Sequence, residues 1–168
     1  MRVSKAPIQD PTSCTWLRGS SVRFALGIYL SATAVANLLW EFLQLPLYTI
    51  WTTSTAREIA VAVAHCTAGD VLIASGAIFL AIIVGRCWLW PLDNWTRIAT
   101  LTIVFAVAYT AFSEWLNIYV RHAWTYSSIM PLLRIGQIEL GISPLAQWIV
   151  VPSVALACVK WRLPRVRA

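Results

Sequence analysis

Four side chains that can take up or release a proton lie within long apolar stretches of this sequence. They are Glu41, His65, Asp70 and Glu114. Asn37, Glu41 and Gln44 follow i, i+4, i+7 spacing and so share one face of a helix. Ionisable residues within membrane-spanning segments are costly and usually mark a functional site. We therefore predict that Glu41, Glu114, His65 and Asp70 are the catalytic residues.

The three acids determine which chemistry such a site can perform. Glu41, Asp70 and Glu114 have no Lys or Arg at their level in the sequence, so they cannot all remain ionised in a low-dielectric environment. One solution is a protonated carboxyl beside a carboxylate, which forms a general acid–base pair. A second is a proton relay, and a third is a hydrogen-bonded network that only holds the helices together. The cofactor stays undetermined; a divalent metal would be bound by Glu41, His65 and Glu114, although no zinc-binding spacing is present.

A further set of residues is predicted to bind or orient the substrate. Its members are Asn37, Gln44, Asn117, Gln147, Trp40, Trp115, Trp124 and Tyr126. Trp40 and Trp115 each precede or follow a Glu, and their ring faces can stabilise developing positive charge. Trp124 and Tyr126 belong to a loop with few charges that is long enough to cover the site as a lid, or to lie as an aromatic belt at the membrane interface.

Composition and segment length place these residues in a membrane protein. The chain is 59% hydrophobic and only 12% charged, with ten Trp in 168 residues, which excludes an ordinary soluble domain. Four segments reach the length of about 20 residues that a spanning helix needs. They are Val22–Tyr48, Ala56–Val84, Arg97–Val120 and Pro144–Lys160. We predict an all-α four-helix transmembrane domain over residues 22–160, between an N-terminal tail (1–21) and a basic C-terminal tail (161–168).

The distribution of basic residues predicts the orientation in the membrane. Ten of the thirteen Lys and Arg lie in the tails or between the second and third predicted helices. Positive charge is retained in the cytoplasm, so both termini are predicted to face inward in a bacterial inner membrane. The net charge of +6 then indicates contact with anionic membrane lipid and not with nucleic acid. Although Ala34-Val35-Ala36 imitates a signal-peptidase site, the apolar run continues beyond it, and we expect an uncleaved first helix.

Predicted helix ends give the depth of each polar residue. Thr55 and Glu58 form a capping box that starts the second helix, and Ser143 is predicted to cap the fourth. Asp93 is predicted to cap the third helix. At about 1.5 Å per residue, the catalytic candidates fall roughly 6–15 Å below the outer boundary, apart from Asp70, which lies about a turn deeper. We expect the inner half of the bundle to be almost purely apolar.

An internal similarity relates two of the predicted helices. Glu41-Phe42-Leu43-Gln44-Leu45 resembles Glu114-Trp115-Leu116-Asn117-Ile118, and the same shift carries the segment 51–54 onto 124–127. This pattern is typical of a duplicated helical hairpin whose halves are related by an axis along the membrane normal. The alternative is chance similarity between two apolar helices.

Several of these segments resemble known families. NLLWEFLQLPLY, HCTAGDVLIA, SEWLN, WTYSSIMP and GISPLAQW together resemble an uncharacterised family of small bacterial four-helix membrane proteins. That resemblance implies a topology but no activity. Asn37, Trp40 and Glu41 also resemble the Asn-x-x-Trp-Glu motif of integral-membrane terpene cyclases, in which the Glu is a proton donor. Those enzymes are longer and have more helices, so the similarity implies acid catalysis only.

Three functions remain open from the sequence. The first is an enzyme that performs acid–base chemistry on a lipidic or isoprenoid substrate held in the membrane. The second is a proton- or cation-coupled carrier or channel component, assembled as a homo-oligomer because four helices enclose little space. The third is a structural or accessory subunit of a larger membrane complex.

Overall fold

A computed structural model describes the backbone of residues 11–163 and the side chains of residues 21–163. Its helices are α1 (Pro11–Gln44), the short α2 (Ile50–Thr53), α3 (Ala56–Gly85), α4 (Trp95–Trp115) and α5 (Ile142–Arg162). A 3-10 turn (Leu45–Leu47) follows α1, and a π-helical turn (Leu116–Val120) follows α4. Two strands, β1 (Leu132–Ile135) and β2 (Ile138–Gly141), complete the described chain.

The prediction of an all-α protein with four spans is confirmed. Within the described residues, four helical segments are long and apolar enough to cross a membrane: Ser21–Leu47, Ala56–Gly85, Trp95–Val120 and Ile142–Arg162. The backbone of α1 already begins at Pro11, inside the predicted N-terminal tail. Most of α5 lies in the predicted span, and residues 1–10 and 164–168 of the two predicted tails lie outside the described residues.

The four long helices form a square bundle. α3 packs on α1 and α4, and α5 also packs on α1 and α4, so α1 and α4 lie across the bundle from each other. Small buried residues, among them Ala74, Ala81, Ala106 and Ala155, allow the helices to approach closely. Glu41 and Glu114 lie at the end of the bundle where α1 and α4 finish. We call this the acidic end of the bundle.

Local sequence determines several helix ends. The capping box that starts α3 is confirmed: Glu58 N donates to Thr55 Oγ1 at 3.4 Å, and Thr55 N donates to Glu58 Oε2 at 2.8 Å. The predicted cap of α4 by Asp93 is wrong. Asn94 precedes the helix with a positive φ of 53°, and Asp93 instead accepts hydrogen bonds from Asn94.

A β-hairpin occupies part of the predicted loop between the third and fourth spanning helices, the loop that contains Trp124 and Tyr126. β1 and β2 pair antiparallel from Leu132 opposite Gly141 to Ile135 opposite Ile138. Gly136 has a positive φ of 61°, which a two-residue hairpin turn requires and glycine supplies without steric cost. The hairpin leads directly into α5, so it fixes where that helix begins.

The buried faces of α1 and α4 follow the shift of 73 residues found in the sequence. Ala25, Tyr29, Thr33 and Asn37 form one buried stripe, and Ile98, Thr102, Ala106 and Thr110 form the other. The stripes lead to Glu41 and Glu114 respectively. The prediction that the inner half of the bundle is almost purely apolar is therefore wrong for α1 and α4. Tyr29, Thr33 and Thr102 are completely buried in the part of these helices away from Glu41 and Glu114.

We predict that the Gly85→Leu substitution destabilises the bundle. A Cβ at Gly85 would lie 2.9 Å from Ile98 Cδ1 and 3.4 Å from Leu101 Cδ1, so a larger side chain overpacks the contact between α3 and α4. Overpacking of this kind costs about 1–3 kcal/mol. Thermal unfolding in detergent should show a lower Tm, while Gly27→Leu, where a Cβ meets nothing within 4 Å, should not. Equal Tm values for both variants would contradict close packing at Gly85.

Candidate functional site

The last two turns of α1 supply the polar residues that the sequence placed on one face. Asn37 and Gln44 are buried, and Glu41 between them is half-buried. α1 ends directly after Gln44, because Pro46 follows in a 3-10 turn and cannot continue the hydrogen-bond ladder. These three residues therefore lie near the acidic end of the bundle and face the neighbouring helices.

Gln147 on α5 connects three helices. Its Nε2 lies 3.1 Å from Asn37 Oδ1, 3.2 Å from Glu41 Oε1 and 3.0 Å from Asp70 Oδ2. An amide nitrogen carries only two hydrogens, so it cannot donate fully to all three acceptors. Glu41 and Asp70 therefore present carboxyl oxygens to the same amide nitrogen. Two carboxyl groups brought together in this way in a low-dielectric site favour one shared proton over two charges, so Glu41 and Asp70 are a candidate proton-sharing pair.

A second chain of hydrogen bonds holds Glu41 from the side of α5. Gln44 Nε2 donates to Glu41 Oε1 at 2.7 Å, and Ser143 Oγ donates to Gln44 Oε1 at 2.9 Å. Trp40 Nε1 in turn donates to Ser143 Oγ at 3.3 Å. The prediction that Ser143 caps α5 is wrong, because α5 begins one residue earlier and Gly141 precedes it without a side-chain cap. Ser143 instead orients Gln44, and Trp40 acts through its N–H group.

Glu114 on α4 is held separately, by the loop that follows its helix. Tyr126 Oη donates to Glu114 Oε2 and accepts from the Gly141 backbone N–H at 2.7 Å. Burial, and after it the Glu114 carboxylate, raise the pKa of Tyr126 well above its usual range, so the phenol keeps its proton and remains a donor. Trp124 lines the same cavity, and its Nε1 is buried without a hydrogen-bond partner among the described residues. Glu114 thus accepts a hydrogen bond from a phenol, whereas Glu41 and Asp70 face a common amide donor.

The loop forms a roof that joins the end of α1 to the segment after α4. Thr49 N donates to the Thr125 carbonyl at 3.1 Å, and the two threonine hydroxyls lie 2.7 Å apart. The rings of Tyr48 and Tyr126 pack with their centroids 5.7 Å apart. Burial above all, followed by the Glu114 charge, raises the pKa of Tyr48 well above its usual value. We call Tyr48, Thr49, Trp124, Thr125 and Tyr126 the roof.

Beneath the roof lies a cavity of about 1070 Å³ that brings most of the predicted site residues together. The predicted residues that line it are Glu41, Gln44, His65, Asp70, Glu114, Asn117, Trp124 and Gln147. Asn37 lies outside the lining but bonds Gln147, and Tyr126 likewise acts through Glu114. Asn117 is bonded within its own helix, to the Ser113 carbonyl at 2.9 Å. The predicted convergence of acids from different helices is therefore present in the structure.

Two predicted residues have different positions from those expected. Trp115 is exposed on the outside of the bundle and packs against Phe112, so its ring does not face the cavity. His65 is exposed at the rim, on a different side of α3 from the buried Asp70. α3 remains a continuous helix through Gly69, so their spacing of five residues keeps them apart.

Within residues 21–163, no group of three His, Cys, Asp or Glu side chains is arranged to hold a metal ion. The conditional ligand set Glu41, His65 and Glu114 is accordingly not assembled, because His65 lies at the rim. In the same part of the chain, the one ion pair is Arg134–Glu139 in the hairpin. The three carboxyl groups of the cavity are thus stabilised by hydrogen bonds rather than by a cationic partner.

Several residues of the site were missed from the sequence. Ser143 is predicted only as a cap, and Tyr48 and His122, which line the cavity, are not among the predicted site residues. The π-helical turn after Trp115, which carries Asn117, was also not predicted. No helical spacing could have identified Tyr48, because α1 ends at Gln44 and Tyr48 is in an extended conformation after the 3-10 turn.

Comparison with known proteins adds no relative: no protein-family model, curated protein or solved structure matches this chain.

We predict that Tyr126→Phe loosens the roof. The variant loses the donor to Glu114 and the acceptor for the Gly141 N–H, and each buried polar group left unpaired costs about 1–3 kcal/mol. Hydrogen–deuterium exchange should become faster at Gly141 and along the hairpin. Tyr109→Phe is the matched control, because Tyr109 packs against Phe112 and is half exposed. Unchanged exchange at Gly141 in Tyr126→Phe would contradict this role.

Proposed function

We propose that this protein is a membrane-embedded enzyme that performs acid–base chemistry on a lipidic substrate with a carbon–carbon double bond, such as an isoprenoid. The observation that carries the proposal is the pairing of two kinds of carboxyl group in one cavity. Glu41 and Asp70 face one amide nitrogen and are assigned one shared proton, whereas Glu114 accepts a hydrogen bond from Tyr126. Environments that differ in this way separate an acid from a base.

The reaction follows from these assignments. The proton shared by Glu41 and Asp70 is transferred to one carbon of the double bond, which forms a C–H bond and leaves a carbocation at the other carbon. Glu114 then removes a proton from a carbon adjacent to the cation, and the electrons of that C–H bond form the new double bond. The product is an isomer of the substrate, and attack by water at the cation would give a hydrated product instead. The proton taken up by Glu114 returns to the pair through solvent, so the cycle needs no co-reactant.

The surroundings of the pair support transfer of its proton. Gln147 and Gln44 hold Glu41 in one orientation, which lowers the entropic cost of bringing acid and substrate together. The charge that remains on the pair after transfer is stabilised by the same amide donors. Such preorganised donors are the main source of electrostatic stabilisation in many enzymes.

A proton-coupled carrier is the second candidate, and one observation favours it. Tyr29, Thr33 and Thr102 extend a buried polar stripe from the carboxyl groups toward the other end of the bundle. The hydroxyl oxygens of Tyr29 and Thr33 have no hydrogen-bond partner among the described residues, a situation that internal water relieves. A chain of hydroxyls and water is a means of carrying protons.

We predict that purified protein in D2O places deuterium on carbon in a lipid, and that Glu41→Gln abolishes this. The acid exchanges its proton with D2O, so each turnover forms a C–D bond, which mass spectrometry detects in an added bacterial lipid extract. Loss of one acid commonly lowers such catalysis by about 10²–10⁴-fold. Glu139→Gln in the exposed hairpin is the control and should retain incorporation.

The other functions give different results in the same experiment. A carrier would give no carbon-bound deuterium but would acidify vesicles in a Glu41-dependent manner, as a pH-sensitive dye reports. For a structural subunit, Glu41→Gln would lower the Tm in detergent, and wild-type protein would show neither activity. Either outcome would reject the enzyme.

We also propose that the chain resides in a bacterial inner membrane with both termini in the cytoplasm. In support, the basic residues lie mainly in the tails and in the α3–α4 connection. In this orientation, the cavity opens toward the exoplasmic side. A membrane-impermeant maleimide should label His122→Cys in intact spheroplasts of a Cys-free background, and label Asp93→Cys only after permeabilisation. The reverse pattern would invert the topology.

A further inference from the structure

The cavity continues from the carboxyl groups into the apolar part of the bundle between α3 and α4. Below Asp70 it is lined by Ile73, Gly76 and Leu80 of α3 and by Phe105 and Tyr109 of α4. We call these five residues the α3–α4 groove. The α3 residues recur at spacings of three and four, so they form one continuous face of that helix. From Asp70 to Leu80, the groove is about 15 Å long.

The groove is open on its side and not only at the roof. Leu72 and Tyr109 line the cavity, yet they are 73% and 52% exposed on the outside of the bundle. A residue can do both only where the cavity wall is incomplete. In a bilayer, this opening faces the acyl chains of the membrane.

Two glycines of α3, Gly69 and Gly76, line the cavity and leave open space beside it. A Cβ added to Gly69 or Gly76 would meet nothing within 4 Å, whereas a Cβ added to Gly85 would lie 2.9 Å from Ile98. Gly85 therefore packs closely against α4, whereas Gly69 and Gly76 face open space beside the cavity that they line. Glycine within a helix costs about 0.5–1 kcal/mol relative to alanine, and at Gly76 close helix packing does not explain it.

The described residues form no interhelical hydrogen bonds on the side of the bundle made by α3 and α4. The roof ties α1 to the loop after α4, and Gln147 ties α5 to Asp70 of α3. Among residues 21–163, no hydrogen bond joins α3 to α4. Apolar packing alone holds α3 against α4. A lipid chain can therefore separate the halves of these helices nearest the carboxyl groups without breaking a hydrogen bond.

A buried hydroxyl points to a ligand with a polar group. Thr110 lines the cavity and is only 5% exposed, yet its Oγ1 has no hydrogen-bond partner within the described residues. It lies one turn of α4 below Glu114, at the junction of the carboxyl groups and the groove. A buried polar atom of this kind is normally satisfied by water or by a ligand.

We propose that the hydrocarbon chain of a membrane lipid enters sideways between α3 and α4 and lies in the α3–α4 groove. Its uncharged hydrogen-bonding group, such as a hydroxyl, is bound by Thr110 beside the carboxyl groups. This inference names the substrate class of the site and rests on the proposed function for its chemical meaning, but binding is measurable without turnover. The chain can be straight or isoprenoid, since both present the same apolar surface.

The test uses two photoreactive alcohols that carry a diazirine on the chain, one straight-chain and one polyisoprenoid. Full-length protein in phosphatidylcholine vesicles is illuminated with each probe, and the labelled peptides are identified by mass spectrometry. We expect labelling of the α3–α4 groove, reduced about tenfold by Gly76→Leu, which fills the groove. Gly27→Leu is the matched control, because its Cβ also meets nothing within 4 Å and Gly27 does not line the cavity.

Thr110→Val provides a second, nearly isosteric variant. It should weaken labelling by the alcohols but not by the corresponding hydrocarbon probe, whereas a folding defect would reduce all three equally. Labelling spread over all lipid-facing helices, or equal labelling in Gly76→Leu and wild type, would overturn the proposal. Preference for one probe assigns the chain type. Specific labelling without deuterium incorporation would reject the proposed chemistry and leave the binding site in place.

Discussion

Three carboxyl groups inside a bilayer-spanning bundle impose the constraint on which the rest of this structure depends. Charged groups in a medium of low dielectric must be neutralised, paired or hydrogen-bonded. No cation fulfils this role for Glu41, Asp70 or Glu114 among the described residues. Instead, Glu41 and Asp70 are acceptors for one amide nitrogen, and Glu114 accepts a hydrogen bond from Tyr126. The arrangement provides donors for the carboxyl oxygens and brings two acids together, which favours a proton between them.

One amide joins the helices that supply these groups. Gln147 contacts acceptors on α1 and α3, and the chain from Trp40 through Ser143 and Gln44 fastens the same region of α5 to α1. A polar network is more valuable when complete, because each member left unpaired in a low dielectric is costly. The nitrogen of Gln147 nevertheless has three acceptors for two hydrogens. Two of the three acceptors are carboxyl oxygens, and a proton on one of these carboxyl groups would relieve the shortage of donors.

Closure of the bundle is unequal around its circumference. α1 and α5 are joined by hydrogen bonds, and the roof connects α1 to the segment after α4. Between α3 and α4, no hydrogen bond is present among the described residues, and Gly69 and Gly76 face open space beside the cavity, whereas Gly85 packs against Ile98. A bundle of four helices encloses little space when all its faces are equally packed. An opening between α3 and α4 provides a cavity without an additional helix. In a bilayer, this opening faces the acyl chains.

The sequence by itself determined the number of spans, the start of α3 and the face shared by Asn37, Glu41 and Gln44, because these depend on local hydrophobicity, capping and the helical period. Convergence of the acids was also predictable, since depth follows from distance to the helix ends. The sequence by itself did not determine that Trp115 faces outward, that Ser143 orients Gln44 instead of capping α5, or that a hairpin precedes α5. Those features depend on how each helix is rotated and which neighbour it meets. Rotation is set by packing and hydrogen bonds between residues about a hundred positions apart, such as Gln147 with Asn37 and Glu41, and only the tertiary structure brings them together.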